Sequence, residues 1–276
     1  MKNTVVRLVT VTVLMALACI TAGCGSAQAP AAAPMFERGI WMIAEYEGYY
    51  MGENSGSLLD WKFTYNERGQ VEESRVTGRY ATIWGGHSDY TWSEDGLSFQ
   101  NMYLDYGGSH HVKSEEIEKT GTYRVEYDDL SASFELTDGS LRCTLDYRED
   151  GTLERKVVFD EESEESGKTF EYNEHGDLVH YVCPGWEERV YDIRYDGDVP
   201  VSATVDTTFT HEIDGKTETT KFSYDLSLKV DEEGNIVSAE REGWFPSTFS
   251  WVYVEHPDPL ARLLAQQQLG SALELM

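Results

Sequence analysis

Short motifs for catalysis and cofactor binding are missing from this sequence. It contains no G-x-S-x-G nucleophile motif, no H-E-x-x-H zinc motif and no glycine-rich phosphate loop. Serine, histidine and aspartate residues are scattered along the chain, but a catalytic triad is defined by geometry, which scattered residues do not establish. The sequence therefore predicts no catalytic residue, no cofactor and no enzyme activity.

Basic residues are scarce. The chain has 22 Lys and Arg against 50 Asp and Glu, which gives a formal net charge of −28. Such a chain repels nucleic acid phosphates and anionic lipid head groups, so we expect no nucleic acid partner and no flat membrane binding. The charge could attract cations or a basic partner, but its main expected effect is to keep an exported protein soluble.

Two segments could bind a metal ion, and neither has the required pattern. His110 and His111 are adjacent, and adjacent strand residues point to opposite faces, so a solvated loop is expected there. The acidic run at 160–166 could hold Ca²⁺ loosely, but it lacks the D-x-D-x-D-G order of a calcium loop. The sequence therefore predicts no metal site.

The first 23 residues have the features of an export signal. Lys2 and Arg7 precede an apolar run at 8–20, which is shorter than the about 20 residues needed to cross a bilayer. Cys24 closes the tetrapeptide TAGC directly behind that run. This arrangement resembles the signal peptide of bacterial lipoproteins, which are cut before the cysteine and lipidated on its sulfur. An ordinary secretory cut after the A-x-A site at 27–29, or an uncleaved anchor, is the alternative.

The lipoprotein resemblance implies where the mature chain resides. It would begin at Cys24 and be held by acyl chains, palmitate among them, on the extracytoplasmic face of the cell membrane. Residues 24–34 are small, uncharged and proline-containing, so we expect a flexible tether that leads into an antiparallel β domain at 35–257. Loss of Lys2 and Arg7 would bring the formal charge from −28 to −30.

Two cysteines remain in the body of the chain. Cys143 and Cys183 form an even pair, and an exported protein meets an oxidising compartment. A disulfide between them would stabilise the fold by about 4 kcal/mol if it acts by restricting the unfolded chain. Two separate buried thiols are the equal alternative.

Alternation of apolar and polar residues dominates the rest of the chain. The clearest case runs from Phe222 to Val230, where every second residue is apolar and the residues between them are polar. Such a period of two indicates antiparallel strands with one packed face. Short turns rich in Asn, Asp and Gly separate the strands, so strands that are neighbours in sequence should be neighbours in the sheet.

Several of these hairpins share a pattern of apolar residue, any residue, Tyr, Asn or Asp, two residues, Gly, any residue, apolar residue. Full copies occupy 63–71 and 170–178, and degenerate copies occupy 145–153, 193–197 and 228–236. The pattern resembles the YD repeat of bacterial Rhs-type and teneurin-like surface proteins, whose hairpins build long winding sheets. The resemblance implies hairpin mechanics and not a toxin function. We expect each tyrosine ring on the sheet and its hydroxyl near the solvated turn.

One segment predicts a helix, over 258–276. Asp258 is placed to cap it and Pro259 stands at the first helical position. An apolar stripe faces one side and polar residues the other; the stripe is Leu260, Leu263, Leu264 and Leu269, and the polar side carries Arg262 and Gln266. The expected fold is thus all-β: an antiparallel meander of repeated hairpins that forms a twisted or curved sheet, partly covered by a C-terminal amphipathic helix.

Aromatic residues in turn-like sequence are the best candidates for a binding surface. Trp84, Trp186 and Trp244 each lie beside glycine or proline, where a side chain can be exposed and can stack on a sugar or a protein partner. The alternative for each is a place in the core. We expect a non-catalytic envelope lipoprotein, a binding or structural module for an unknown protein or glycan. The alternatives are an envelope hydrolase that cleaves glycans with two carboxylates, and a lipid or lipoprotein carrier with an apolar hollow.

Overall fold

The described chain consists of sixteen antiparallel strands and a short helical C-terminal segment. The computed structural model describes residues 38–276 except 53–54, 81, 107–115, 160–166 and 214–215, together with the side chains outside 49–58, 79–86, 101–120 and 212–215. The predicted signal peptide, Cys24 and the tether therefore lie outside the described residues. The strands are β1 (Ile40–Gly52), β2 (Ser55–Tyr65), β3 (Val71–Tyr80), β4 (Thr82–Trp92), β5 (Ser98–Tyr106), β6 (Glu116–Tyr127), β7 (Ser131–Leu136), β8 (Arg142–Tyr147), β9 (Leu153–Phe159), β10 (Lys168–Tyr172), β11 (Leu178–Cys183), β12 (Glu187–Asp196), β13 (Val199–Ile213), β14 (Lys216–Val230), β15 (Ile236–Arg241) and β16 (Ser247–Val254).

The sheet closes into a barrel. Each strand pairs with the next along the chain, and β1 also pairs with β16, with Ile40 opposite Val254 and Tyr46 opposite Phe249. The prediction of an open twisted or curved sheet is therefore wrong. Turn sequences indicate pairing only between strands that are neighbours along the chain. The pairing that closes the barrel joins the first strand to the last, β1 to β16, which no turn sequence indicates. Closure gives both edge strands a partner and removes the exposed edges of an open sheet.

The barrel carries its apolar residues inside. In β14, Leu226 and Leu228 are buried while Asp225, Ser227 and Lys229 between them face outward and are exposed. The outward positions of β12 are mostly charged as well. A barrel whose strands face lipid has the reverse distribution, an apolar outer band around a polar interior. The alternation seen here is that of a sheet with water on its outer surface and protein on its inner one.

The repeated sequence pattern corresponds to one local structure. In all five copies the strand register shifts at the same place, beside the tyrosine position or its equivalent; the shifts fall at 64/65, 146/147, 171/172, 194/195 and 229/230. A bulge of this kind bends the strand and aims the next side chain. The glycine that follows takes the left-handed conformation, as predicted; Gly176 has φ of 83°.

Side-chain oxygens hold the turns of the repeats. The Oδ1 atom of Asn173 accepts hydrogen bonds from the backbone N–H groups of His175 and Asp177, and Asp231 and Asn66 do the same in their turns. In the copy that has Arg148 at this position, Asp150 takes over part of the role. The preference for Asn and Asp in the repeat thus has a direct cause in turn capping.

The C-terminal segment lies inside one end of the barrel. Helix α1 (Pro259–Gln268) begins with Asp258 as its N-cap, as predicted, and is followed by a 3₁₀ turn at Ala272–Leu275. Leu263 and Leu273 are fully buried, and the polar Arg262 and Gln266 are buried as well. The prediction of a helix with one solvated face is therefore wrong at Arg262 and Gln266, because barrel wall surrounds the segment on both sides. We call residues 258–276 the plug.

The hairpin connections alternate between the two ends of the barrel. The repeat turns lie at the end that the plug fills, and the connections β11–β12, β13–β14 and β15–β16 lie at the opposite end. Among the described residues, no helix is long and apolar enough to cross a membrane.

Candidate functional site

Tyrosine hydroxyls from four strands hold the plug in place. Each of these rings points into the barrel and donates one hydrogen bond to the plug. The pairs are Tyr147 to Gln266 Oε1 (2.6 Å), Tyr172 to Glu274 Oε1 (2.7 Å), Tyr191 to the Leu273 carbonyl (3.2 Å) and Tyr224 to the Met276 carbonyl (2.9 Å). Two of them, Tyr147 and Tyr172, are repeat tyrosines. The expectation that their hydroxyls lie near solvated turns is wrong, because the plug occupies the space in front of them.

A buried ion pair fixes the same segment. Lys156 is 1% exposed, and its Nζ donates to the carbonyl oxygens of Gln266 (3.2 Å) and Gln267 (3.1 Å) and to Glu274 Oε2 (2.5 Å). The other carboxylate oxygen of Glu274 accepts from Tyr172 and from two backbone N–H groups of the plug. All the charge in this cluster is paired and hydrogen-bonded, which is the condition for a buried ion pair to be tolerated. Its role is structural.

The environment beneath the plug keeps polar groups in their neutral form. Burial raises the pKa of Tyr172 well above its ordinary value, with the nearby carboxylate of Glu274 adding to the effect. Burial likewise raises the pKa of the Cys143 thiol to about 12. A thiol of this kind has almost no thiolate near neutral pH, so Cys143 has none of the reactivity of a catalytic cysteine.

A cavity of about 190 Å³ remains beside the end of helix α1. Side chains of β2, β3 and β4 and the plug residue Gln268 line it, and most of the exposed lining surface is apolar; the lining residues are Trp61, Phe63, Ser74, Arg75, Val76, Ser88 and Gln268. The indole N–H of Trp61 is buried and has no hydrogen-bond partner among the described residues. A buried donor without an acceptor costs about 1–3 kcal/mol, so a ligand that offers an acceptor here would recover part of that cost.

A second feature is a row of rings toward the opposite end of the barrel. Trp186, Phe209, Phe222 and Tyr224 follow one another with ring centroids 6.2, 5.8 and 6.1 Å apart. Phe209 and Phe222 lie on the same face as the buried Val205, which is the inner face. Yet Phe222 is 39% exposed and Trp186 is 42% exposed. The plug therefore leaves this part of the inner wall, which we call the aromatic wall, open to solvent.

Two arginines lie beside the aromatic wall, and they differ in their contacts. Arg189 donates to Glu187 (Nε to Oε1, 2.6 Å), and Glu187 is itself buried. Arg241 lies with its guanidinium carbon 4.1 Å from the ring centre of Tyr224 and 4.8 Å from that of Trp244. No hydrogen bond or ion pair of the Arg241 side chain occurs within the described part of the chain. Its charge is held by ring faces alone.

The predicted aromatic candidates have three different outcomes. Trp186 is exposed and belongs to the aromatic wall. Trp244 is half-buried under Arg241, and its neighbour Phe245 is more exposed, at 72%. Trp84 lies in β4, but its side chain is outside the described part. A ligand-binding role for these residues stays a prediction.

Sequence reasoning missed Phe222, Arg241 and Trp61 as candidate site residues. Phe222 and Trp61 lie on the apolar side of an alternating strand, and that pattern indicates core. Nothing in the pattern reveals how far a plug reaches along the inner wall, and this distance separates a core ring from an exposed one.

The two cysteines are not bonded to each other. Cys143 is buried in β8, and Cys183 is half-buried at the end of β11. Strands β9 and β10 lie between them, so three steps of about 4.8 Å separate the two positions, about 14 Å in all. Disulfide formation needs α-carbons within about 7 Å, so of the two equal alternatives the structure has separate thiols.

The described residues contain no group of three or more His, Cys, Asp or Glu side chains that could hold a metal ion. His110, His111 and the acidic run at 160–166 lie outside these residues. Buried carboxylates inside the barrel are each engaged by a cation: Glu187 by Arg189, and Glu274 by Lys156. These two carboxylates are therefore engaged within the protein and are not placed to act on a substrate.

Comparisons with known proteins add little. No protein-family model and no curated protein matches the sequence. Among solved structures, the chain has a distant likeness to one described as a porin-like protein from Bacteroides uniformis. The two share 10% sequence identity and a TM-score of 0.37, over 80% of this chain and 99% of the other. At that distance the likeness supports no conclusion about function.

Proposed function

We propose that this protein is a non-catalytic envelope lipoprotein that binds a small ligand inside a plugged barrel. The observation that carries the proposal is the aromatic wall, where inward-facing Phe222 remains exposed because the plug stops short of it. Exposed rings on a concave protein surface are suited to stacking on the apolar face of a ligand ring. A sugar ring fits this description, which supports a glycan as the ligand.

The cavity beside Trp61 adds to this proposal. Its mainly apolar lining and its one unpaired donor match the usual composition of ligand pockets, in which a few polar groups orient the ligand. The volume of about 190 Å³ lies below the range of about 300–1,000 Å³ that drug-sized ligands occupy. The cavity is therefore suited to part of a ligand and is too small for a whole lipid.

The hydrolase alternative is supported less well. A glycan hydrolase needs two carboxyl groups that flank the substrate, one of them with a raised pKa. The carboxylates that face the aromatic wall and the plug are paired with Arg189 and Lys156 instead. Binding without catalysis is the function that the described side chains support best.

Binding is tested by titration of the full chain, purified in detergent micelles, with a panel of neutral and acidic oligosaccharides while tryptophan fluorescence and binding heat are recorded. Phe222→Ala and Trp61→Phe should each raise Kd about two- to tenfold, since each removes one contact of about 0.5–1.5 kcal/mol. Val190→Ala is the matched control, because Val190 is as exposed as Phe222 but faces outward. Equal binding by all three variants would contradict a site inside the barrel.

The envelope location is proposed from the Cys24 arrangement and has its own test. In a bacterial host, Cys24→Ser should move the protein from the membrane fraction to the soluble extracytoplasmic fraction, since acyl chains contribute about 0.8 kcal/mol per buried CH₂. Labelled palmitate should be incorporated by the parent chain and not by the variant. Membrane retention without lipid incorporation in both chains would overturn lipidation.

A further inference from the structure

We propose that the ligand of the barrel carries an anionic group and that Arg241 binds it. This inference rests on the proposed function and names the chemical class of its ligand: an acidic saccharide, with a ring for the aromatic wall and a carboxylate or sulfate for the guanidinium.

The guanidinium of Arg241 has no hydrogen-bond acceptor among the described residues. Its side chain is half-buried on the inner face, because Arg241 pairs with Leu226, which is buried in the barrel. A guanidinium has five N–H donors, and partial burial removes much of the water that would satisfy them. Within the described chain no carboxylate or carbonyl oxygen accepts from these donors. By contrast, Arg189 and Lys156 on the same inner face each have a carboxylate partner.

The charge around Tyr224 differs from that of the protein as a whole. The protein as a whole has a formal net charge of −28, so most of its surface repels an anionic ligand. Three charged groups act on Tyr224, whose pKa is raised first by burial: Arg189 and Arg241 lower it, and Glu187 raises it. Arg189 is paired with Glu187, so the guanidinium of Arg241 is the positive charge that remains for an anion at this part of the wall.

The guanidinium of Arg241 lies close to the exposed ring of the aromatic wall. Arg241 lies on the ring of Tyr224, and Tyr224 stacks against the exposed Phe222 at 6.1 Å between ring centroids. A sugar ring placed on Phe222 therefore has its substituents within reach of the guanidinium. Arginine binds carboxylate and sulfate groups through two parallel hydrogen bonds, which gives orientation as well as affinity. The rings of Tyr224 and Trp244 both contact the guanidinium and reduce the freedom it would lose on binding.

The test compares three probes on the full chain in detergent micelles by calorimetry: trigalacturonate, its fully methyl-esterified form, and cellotriose. We expect trigalacturonate to bind at least tenfold more tightly than its ester, with an affinity that falls as salt is added. Arg241→Gln should abolish the difference in affinity between acid and ester. Arg241→Lys should keep part of the difference, because it retains the charge but not the fork of donors.

Arg194→Gln is the matched control, because Arg194 is an exposed arginine on the outward face of β12. It should bind all three probes as the parent does, and circular dichroism spectra should show that every variant is folded. Equal affinity for acid and ester in the parent chain would overturn anion recognition, while ester binding lost in Phe222→Ala would still support the proposed function. Binding of none of the three probes would overturn the acidic-saccharide assignment, and an equal loss of acid binding in Arg194→Gln and Arg241→Gln would overturn the role of Arg241.

Discussion

The buried pair between Lys156 and Glu274 offers the sharpest test that the plug belongs inside the barrel. Replacing Lys156 with Met keeps the length of the side chain and removes the charge. Glu274, whose side chain is 5% exposed, then loses its cationic partner, and two plug carbonyls lose their donor. Removing one partner of a buried pair costs about 3–5 kcal/mol, because it leaves the other charge uncompensated.

The lower end of that range applies here. Glu274 keeps three other donors after the substitution, namely Tyr172 and the backbone N–H groups of Gly270 and Ser271. We therefore expect a loss of about 3 kcal/mol in the free energy of unfolding. For a domain of this size each kcal/mol lowers Tm by about 2–4 °C, so Tm should fall by about 6–12 °C.

The assay is thermal unfolding followed by circular dichroism and by tryptophan fluorescence. The double variant with Lys156→Met and Glu274→Gln should be more stable than the sum of the single effects implies, by about 1–2 kcal/mol, since no unpaired charge remains. The outward pair of Arg124 and Glu135 is the control: its N–O distance is 2.6 Å and its side chains are 65% and 36% exposed. Arg124→Met should cost under about 1 kcal/mol. A Tm for Lys156→Met no lower than that of the control would refute the buried plug.

Three further predictions concern single residues. Gly69→Ala should destabilise the protein more than Gly234→Ala does in urea unfolding. Both glycines have positive φ, which costs about 1–2 kcal/mol for a residue with a β-carbon, but of the two only Gly69 would place the new atom 2.7 Å from Cε of the buried Met42. Equal losses of stability would contradict this packing. Burial lowers the pKa of His180, but the hydrogen bonds it donates to the carboxylates of Glu171 in β10 and Glu188 in β12, together with their charges, raise this pKa overall. Its stabilising effect should thus be full below the unfolded pKa of about 6.5 and vanish as pH rises through the folded value, so His180→Gln should lose more stability at pH 5 than at pH 9. Cys143 should resist iodoacetamide at pH 8 until the protein unfolds, and rapid labelling of the native chain would contradict its burial.

The repeat tyrosines mark the limit of what the sequence could predict. The position of Tyr172 at a hairpin end follows from its neighbours, because a glycine at positive φ and a capping Asn173 are local features. The partner of its hydroxyl, Glu274, is 102 residues away along the chain. A sequence pattern of a few residues cannot indicate a partner so far along the chain. The hydroxyl was therefore predicted to lie near solvent, and it is instead buried.

The candidate site shows the same division. Trp186 was predicted because its turn is visible in the sequence. Phe222 and Arg241 were not, because alternation assigns a residue to a face of the sheet without showing what covers that face. Arg262 and Gln266 illustrate the converse case, since the polar side of a helix predicts solvent and both residues are buried by the barrel wall.

By itself, the sequence determined the strands, their turns and the cap of the helix. These depend on backbone dihedral angles and on side chains within a few residues of one another, which the sequence states directly. Only the tertiary structure decided that β1 meets β16, that the last residues fill the interior, and that part of the inner wall remains uncovered. These outcomes depend on contacts between distant parts of the chain and on how much of the enclosed volume the plug occupies, which no local pattern records.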